Sequence, residues 1–436
     1  MIRSVFLGLA LAAGTALAAP LAAQTQGPAP AAAQEQTALE ARADQVVALL
    51  NGEVQPEAIF TAGFRAAIAD AQIKALSANL TAQFGRAVEV AVLLPREGTR
   101  AALEIRFERG LAKGGIAITP SEDNRINELR FTSVDAVAVQ GDTAESIAAD
   151  LAALPGTVNA LFAPLGGGAP VIGLDTARPL ALGSTFKLYV LAALAEDVKA
   201  GRRKWSDVVP LSEKSYPSGR LQDWPKGAPV TLHTLAGLMI SISDNTATDQ
   251  LVRLLGQERL QKVLRDSGHA NPAANDPFLT TREMFLLKAG SPALIEEWRR
   301  GGAVSRAAIA AMTGQTDLPL DSINAAFAGG PKALDIEWFA SPADLARLFA
   351  HMRRTADPEA FRIMAINPSA TETIKAKWPY IGFKGGSEPG VINLTWLLTG
   401  KDGRDWVLSL GWNNPAAVVD EGKFEALAQR ILLLPR

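Results

Sequence analysis

Hydrophobic and polar positions change their spacing several times in the first third of the chain. Apolar residues at helical spacing in 39–50 and 56–84 predict two helices. Four later segments alternate between apolar and polar residues, as half-buried antiparallel strands do: 87–94, 101–109, 115–119 and 126–131. Helices followed by such a meander predict a small α+β domain over residues 37–134. This stretch carries no acid, base or metal constellation, which favours an accessory role.

The rest of the chain predicts a second and larger unit over residues 143–436. A helix at 143–154 opens it and a helix at 421–434 closes it. Five segments predict strands, two before and three after a long helical middle: 157–162, 170–174, 380–384, 391–398 and 406–412. Strands at both ends predict one antiparallel sheet flanked by helices, with an all-helical lobe. The fold class is therefore mixed α and β (α+β/α/β), with the active site expected between sheet and lobe.

Composition narrows the classes of partner. A chain of 436 residues has enough length for two domains, and 48% hydrophobic with 20% charged residues is typical of a soluble globular protein. The net charge of −2 gives no long-range attraction to nucleic acid or to an acidic membrane. No nucleic-acid or other polyanionic partner is therefore indicated. We also expect a monomer that acts on a small-molecule substrate.

The first residues predict an export signal. Arg3 is followed by an apolar stretch over 5–18 and by small residues, which predicts a signal peptide over 1–23. A transmembrane anchor is the alternative, but a span needs ~20 apolar residues, more than this stretch has. The Pro/Ala/Gln-rich segment 24–36 predicts a flexible linker. The chain has no cysteine for lipid attachment or disulfides, so a periplasmic or secreted bacterial protein without a stable membrane anchor is expected.

The same composition limits the chemistry. Absence of cysteine excludes thiol catalysis and most zinc sites, and the three histidines are far apart: His233, His269 and His351. No Gly-x-Ser-x-Gly turn presents a serine for a Ser-His-Asp triad. We expect neither a metal nor a cofactor.

One segment can activate a serine without histidine. Ser184 and Lys187 stand three residues apart where a helix is predicted to begin, so the amine can reach the hydroxyl. A neutral, partly desolvated lysine can accept the serine proton, and the helix N-terminus offers backbone N–H groups to an oxyanion. Alone, such a pair more often marks a capped helix.

Two further motifs follow in order. Ser243-Asp244-Asn245 lies between two helical patterns, 59 positions after Ser184, and Lys384-Gly385-Gly386-Ser387 ends a predicted strand 141 positions later. Neither motif alone is specific for a function. The residues of the first are common helix caps, and the second is also typical of a strand that ends in a glycine-rich turn. Their order and spacing carry the argument.

Together the three motifs resemble the Ser-x-x-Lys, Ser-Asp-Asn and Lys-Thr-Gly motifs of penicillin-binding proteins and class A β-lactamases. The resemblance covers about residues 143–436 and includes Tyr216-Pro217-Ser218-Gly219. It implies that Ser184 is the nucleophile, Lys187 its proton acceptor, Ser243 a proton shuttle and Lys384 the cation for a substrate carboxylate. It also implies an oxyanion hole from the backbone N–H groups of Ser184 and Ser387. The residues that it implies contact the substrate are Asn245, Tyr216, Gly385 and Gly386.

The chain departs from that family in two ways. The third motif has Gly385 where threonine is usual, and Ser387 is the expected substitute. No Glu-x-x-Leu-Asn supplies the glutamate that activates the deacylating water. Glu283 and Glu337 are possible replacements, although capping or ion pairing is the commoner role, and Lys187 is the favoured base.

The two-domain plan resembles the β-lactamase-like proteins of clavulanic-acid gene clusters. These join a steroid-isomerase-like (NTF2-like) domain to a β-lactamase-like domain lacking that glutamate. We therefore expect a serine hydrolase that forms an acyl-enzyme and hydrolyses β-lactams, with antibiotic resistance as its role. The alternatives are an esterase on acylated small molecules, a D-Ala-D-Ala carboxypeptidase, and a penicillin-binding sensor or pseudoenzyme that acylates without turnover.

Overall fold

The computed structural model describes residues 31–96, 99–136, 142–316 and 320–434. The predicted signal peptide and residues 24–30 of the predicted linker lie outside this part. Helix α1 begins at Ala31, so the linker prediction is wrong for residues 31–36. These residues are mostly alanine, glutamine and glutamate, which are strong helix formers and continue the helix that follows.

The N-terminal region (residues 31–136) contains four helices and then four strands. They are α1 (Ala31–Leu50), α2 (Pro56–Ile59), α3 (Ala62–Ala67), α4 (Asp70–Phe84), β1 (Ala87–Pro95), β2 (Arg100–Phe107), β3 (Gly110–Thr119) and β4 (Arg125–Ala136). The single helix predicted over 56–84 is wrong, because the chain leaves the helix at Phe60 and the Thr61 N–H bonds the Ile126 carbonyl at 2.9 Å. The Thr61 hydroxyl then caps α3.

The four strands form an antiparallel sheet in the order β1-β2-β3-β4. Apolar side chains of α1 and α4 pack on one face of the sheet and form a core of their own, which includes Leu39, Val46, Ile105 and Phe107. The meander after helices is as the alternating pattern predicts. That residues 37–134 are a separate, steroid-isomerase-like domain stays a prediction.

The C-terminal region (residues 142–434) is built on a five-stranded antiparallel sheet in the order β11-β12-β13-β5-β6. Its strands and the two helices beside it are α5 (Ala144–Ala152), β5 (Thr157–Pro164), β6 (Ile172–Leu174), β11 (Tyr380–Glu388), β12 (Val391–Thr399), β13 (Asp405–Asn413) and α17 (Glu421–Leu433). The chain returns to its own first strand after more than two hundred residues. This confirms the predicted sheet assembled from both ends of the region.

Side chains alternate between the two faces of this sheet, and both faces are buried. Trp396 and Leu408 pack with α5 and α17 on one face. Leu397 and Val407 pack on the other face, against the helical lobe. Burial on both faces explains why β12 and β13 have nearly continuous apolar runs, with little polar alternation.

The helical lobe is inserted between β6 and β11. It contains α6 (Lys187–Lys199), α7 (Leu232–Ser241), α8 (Asn245–Leu255), α9 (Gln257–Asp266), α10 (Thr281–Ala289), α11 (Pro292–Arg300), α12 (Ala303–Gly314), α13 (Leu320–Phe327), α14 (Pro342–Thr355) and α15 (Glu359–Met364). Helix α16 (Glu372–Lys377) follows in the same stretch of chain but packs with α17 on the other face of the sheet. Short strand pairs join the lobe: β7 (Leu180–Ala181) with β10 (Phe339–Ala340), and β8 (Val208–Pro210) with β9 (Pro229–Thr231). The predicted fold class is confirmed for this region.

Helix α6 runs through the middle of the lobe and is buried over 187–195. Its first turn, which begins at Lys187, is therefore in the interior of the protein. Within the described ranges, no helix has the length and apolar character that crossing a membrane requires.

Candidate active site

Ser184 lies in a 3₁₀ turn over Gly183–Phe186, directly before α6. The Ser-x-x-Lys motif predicts that Ser184 lies in the first turn of the helix, whereas α6 begins one turn later, at Lys187. Gly183 has a φ of +50°, and a Cβ there would lie 2.9 Å from the Ser387 nitrogen. Glycine is therefore needed so that this turn can approach strand β11.

Lys187 is the first residue of α6 and is fully buried. Its Nζ lies 2.8 Å from the Ser243 carbonyl oxygen, 3.0 Å from Ser243 Oγ and 2.8 Å from Asn245 Oδ1. Burial and the nearby Lys384 cation hold the pKa of Lys187 well below that of an exposed lysine. A neutral amine can donate two of these bonds and use its lone pair to accept a hydroxyl proton.

The hydroxyl of Ser243 bridges two lysines. Ser243 has a φ of +57°, an uncommon conformation for a residue with a side chain. Its Oγ lies 3.1 Å from Lys384 Nζ and 3.0 Å from Lys187 Nζ. Burial lowers the pKa of Lys384 to about 7. The three motifs are thus joined by hydrogen bonds through one serine side chain.

Asp244 fixes the segment that carries Ser243. Its Oδ1 accepts from the Ala247 N–H at 2.8 Å and caps α8, and its Oδ2 accepts from the Arg220 N–H at 2.6 Å. Asn245 donates its Nδ2 to the Tyr216 carbonyl at 3.2 Å. Tyr216 thus contributes its backbone, and its side chain is not among those lining the cavities that contain Ser184, unlike the expected substrate contact.

Strand β11 forms the opposite wall. A Cβ on Gly386 would lie 2.2 Å from the Ser184 nitrogen, so only glycine allows the strand to meet this turn. The backbone nitrogens of Ser184 and Ser387 therefore both lie at the contact between turn and strand, and an oxyanion hole formed by them stays a prediction. A Cβ on Gly385 would lie 2.8 Å from the Phe383 ring. This ring, which sequence reasoning missed, occupies space where a larger side chain would stand.

These residues line one cleft of about 390 Å³. Ser184, Ser243 and Lys384 lie on it together with Gly385, Gly386 and Ser387. Glu421 and Glu425 of α17 line the same cleft, and nothing in their helical pattern marks them from sequence alone. The structure thus brings most of the predicted site residues to one surface.

A model of the Beta-lactamase enzyme family matches residues 142–431. The chain belongs to this family. It is a serine hydrolase of β-lactamase type, which acts on small molecules. No curated protein matches the chain in a sequence search.

Solved structures of β-lactamase type are similar to the C-terminal region. A β-lactamase from Sphaerobacter thermophilus DSM 20745 has 22% identity and a TM-score of 0.45, over 66% of this chain and 94% of that one. A protein described as PBP-A has 18% identity and a TM-score of 0.46, over 66% and 93%. A β-lactamase from Burkholderia phymatum has 16% identity and a TM-score of 0.46, over 66% and 95%.

The two glutamates predicted as possible bases lie in different places in this β-lactamase family member. Glu283 belongs to the capping box of α10 with Thr280 and pairs with Arg253 at 2.7 Å. It lines neither cavity that contains Ser184, so the structure gives it a stabilising role. The capping pattern Thr280-x-x-Glu283 is itself the sequence signal for that role.

Glu337 does reach the site of this β-lactamase family member. It lines a second cavity beside Ser184, of about 100 Å³, which we call the side cavity. Glu388 lines the same cavity, and the buried amine of Lys288 pairs with both carboxylates. Sequence reasoning missed Lys288 and Glu388, because each stands alone in an apolar or glycine-rich stretch that resembles core.

Proposed function

We propose that this chain hydrolyses β-lactams through an acyl ester on Ser184. The observation that carries the proposal is the hydrogen-bonded line from Lys187 through Ser243 to Lys384, beside the Ser184 turn. Such a line joins a buried proton acceptor to a proton relay and a cation that line the cleft. These are the groups that acyl transfer from an amide with a nearby carboxylate needs.

In the proposed acylation, Ser184 Oγ attacks the lactam carbonyl and Lys187 takes its proton. The lowered pKa of Lys187 supports this role, because only the neutral amine can accept a proton. The oxyanion lies against the N–H groups of Ser184 and Ser387. Ser243 then passes a proton to the lactam nitrogen as the C–N bond breaks, which leaves the ester on Ser184.

Substrate binding uses residues that line the cleft, and Asn245 of the side cavity beside it. Lys384 holds the substrate carboxylate, and Asn245 holds the amide of the substrate side chain. The Ser387 side chain is exposed on the strand that carries Lys384 and takes the place of the usual threonine hydroxyl. The backbone of Gly385 and Gly386 leaves room for the ring that is opened.

Turnover distinguishes this proposal from a penicillin-binding sensor that acylates and stops. The missing Glu-x-x-Leu-Asn favours the sensor. Two buried carboxylates in the side cavity beside Ser184 favour hydrolysis, since a base next to the ester can activate water. An esterase and a D-Ala-D-Ala carboxypeptidase use the same acyl-enzyme, and we place them after β-lactam hydrolysis.

Ser184→Ala tests the proposal. We expect this variant to lose covalent labelling by a fluorescent penicillin and at least ~10³-fold in cephalosporin turnover, because the ester cannot form. Ser267→Ala is the matched control, since its hydroxyl bonds the Leu264 carbonyl within the lobe. Labelling of Ser184→Ala at the parental rate would contradict the proposal.

A further inference from the structure

A lysine and two glutamates from three elements meet beneath the Ser184 turn. Lys288 extends from α10, Glu337 precedes β10 and Glu388 ends β11. Lys288 Nζ lies 3.2 Å from Glu337 Oε1 and in direct contact with Glu388 Oε1. All three side chains are at most 4% exposed, and burying ionisable groups is costly. Such a cluster is therefore a strong indication of function.

One oxygen of this cluster has no donor. Glu337 is fully engaged, because its Oε1 accepts from Lys288 and its Oε2 from the Trp338 N–H at 3.3 Å. Glu388 accepts from Lys288 through Oε1, whereas its Oε2 is buried and has no hydrogen-bond partner among the described residues. Buried carboxylate oxygens are normally satisfied. Glu388 Oε2 can therefore accept a hydrogen bond from a water.

The strand directs Glu388 toward the reacting ester. Residues two apart on a strand face the same side, so Lys384, Gly386 and Glu388 share one face of β11. Lys384 reaches the cleft on that face, and Gly386 contacts the Ser184 turn. Glu388 follows along the same face and lines the side cavity together with Ser184.

The side cavity suits a hydrolytic water. Its volume of about 100 Å³ is large enough for water molecules. Aromatic side chains of Phe186, Phe285 and Trp338 form part of its wall. The polar side chains that line it are Ser184, Ser218, Asn245, Thr281, Ser387 and the two carboxylates, which offer a water hydrogen-bond partners. An apolar wall strengthens the electrostatic interactions of the groups inside it.

We propose that Glu388 is the general base that activates water to hydrolyse the Ser184 acyl ester, and that Lys288 and Glu337 position it. This inference rests on the proposed function. The Glu388 carboxylate takes one proton from a water, whose oxygen forms a bond to the ester carbonyl carbon. The bond from that carbon to Ser184 Oγ then breaks, Oγ regains a proton from the Glu388 carboxyl, and the product acid leaves.

The surroundings of Glu388 suit a base that works near neutral pH. Burial and the neighbouring Glu337 carboxylate raise the pKa of Glu388 to about 8, and the Lys288 ammonium opposes them. Glu388 is therefore ionised to a growing extent as the pH rises toward 8. Lys187, the base favoured from sequence, is instead bonded to Ser243 and Asn245 and does not line the side cavity.

Glu388→Gln separates the two halves of the reaction. We expect it to be acylated by a penicillin at the parental rate and to keep the adduct at least ~10²-fold longer, because general-base catalysis is lost. Intact-protein mass spectrometry after a penicillin pulse measures both steps. Glu283→Gln is the matched control, since this buried glutamate caps α10 but does not line the side cavity, and it should clear the adduct like the parent.

Glu337→Gln tests positioning through a pH profile. It removes the carboxylate that raises the pKa of Glu388, so the midpoint of the rise in deacylation rate with pH should move down by at least ~1 unit. A purely structural role for Glu337 would change the rate without moving the midpoint. Circular dichroism checks the fold, and this profile decides the case if Glu388→Gln does not fold.

Several outcomes would overturn the assignment. Glu388 is not the deacylation base if Glu388→Gln clears its adduct as fast as the parent. It is also ruled out if a penicillin acylates the parent but does not acylate folded Glu388→Gln. A parent that acylates but never clears its adduct at any pH also contradicts it. A parent that no β-lactam acylates refutes the proposed function itself, and the base assignment falls with it.

Discussion

At the scale of single residues, two lysine side chains share the hydroxyl of Ser243. Lys187 and Lys384 are both buried, and two adjacent cations there would repel each other in a medium of low dielectric constant. Burial lowers the pKa of both amines, so their loss of charge relieves the repulsion. One lysine can then act as a base while the other still binds an anion.

This division predicts how acylation depends on pH. The pKa of Lys384 is lowered to about 7, so its cation dominates only below that pH. We expect the second-order rate constant for acylation by a penicillin to fall as the pH rises through about 7, because the partner of the substrate carboxylate loses its charge. Stopped-flow measurement with a fluorescent penicillin checks this.

The methyl ester of the same penicillin is the control for that measurement. It has no carboxylate for Lys384 to bind, so its acylation rate should lack the fall. Equal pH profiles for the acid and its ester would contradict the role given to Lys384.

At the scale of elements, the contact between β11 and the Ser184 turn depends on a missing side chain. Gly386→Ala would bring a Cβ to 2.2 Å from the Ser184 nitrogen, so the strand and the turn must separate. We expect a loss of at least ~10² in acylation rate, since the two oxyanion N–H groups belong to these elements. Rates of penicillin labelling measure the effect.

Gly237→Ala is the matched control for this prediction. Gly237 lies within α7, and a Cβ there would have its nearest atom 3.8 Å away. It should fold at least as well as the parent, since alanine is the better helix former. A Gly386→Ala protein that labels at the parental rate would show that the close contact is unimportant for acylation.

Some helices and strands could be predicted from the sequence and others could not. The sheet assembled from both ends was predictable, because apolar runs at 391–398 and 406–412 match β12 and β13 closely. The break of 56–84 into three helices was not, since it depends on Thr61 bonding Ile126, a partner distant in sequence. Local periodicity carries no information about such a bond.

Site residues that belong to local motifs could likewise be predicted, whereas those defined by contacts between distant positions could not. Ser184, Lys187, Ser243 and Lys384 were found from motifs whose order and spacing are visible in one dimension. Lys288 and Glu388 were missed, because their meaning lies in a contact between residues one hundred positions apart. For Glu283 the commoner role, capping, could be predicted from the pattern with Thr280, and the structure shows that capping box.

At the scale of the whole molecule, the N-terminal region contacts the C-terminal region through α17. Helix α17 packs on α4 and β4, and Ala426 of α17 packs against the N-terminal core. No described residue of the N-terminal region lines the cleft or the side cavity. The residues of the proposed chemistry therefore all lie within 142–434, and an accessory role for the first region stays a prediction.

Expression of residues 142–436 alone tests that division. We expect a folded protein that is acylated at nearly the parental rate but is less stable by about 1–3 kcal/mol, because one face of α17 becomes exposed. Thermal unfolding and penicillin labelling measure the two effects. A folded truncation that cannot be acylated would show that the first region completes the site.

Two ion pairs of Arg430 join the first and last elements of the C-terminal region. Arg430 on α17 bonds Asp142, just ahead of α5, and Asp150 within α5, at 2.6 and 2.7 Å. The beginning and the end of the catalytic region are thus fastened side by side, on the far side of the sheet from the helical lobe. A neighbouring module can be attached, exchanged or lost beside these ion pairs in evolution, because Arg430, Asp142 and Asp150 line neither the cleft nor the side cavity.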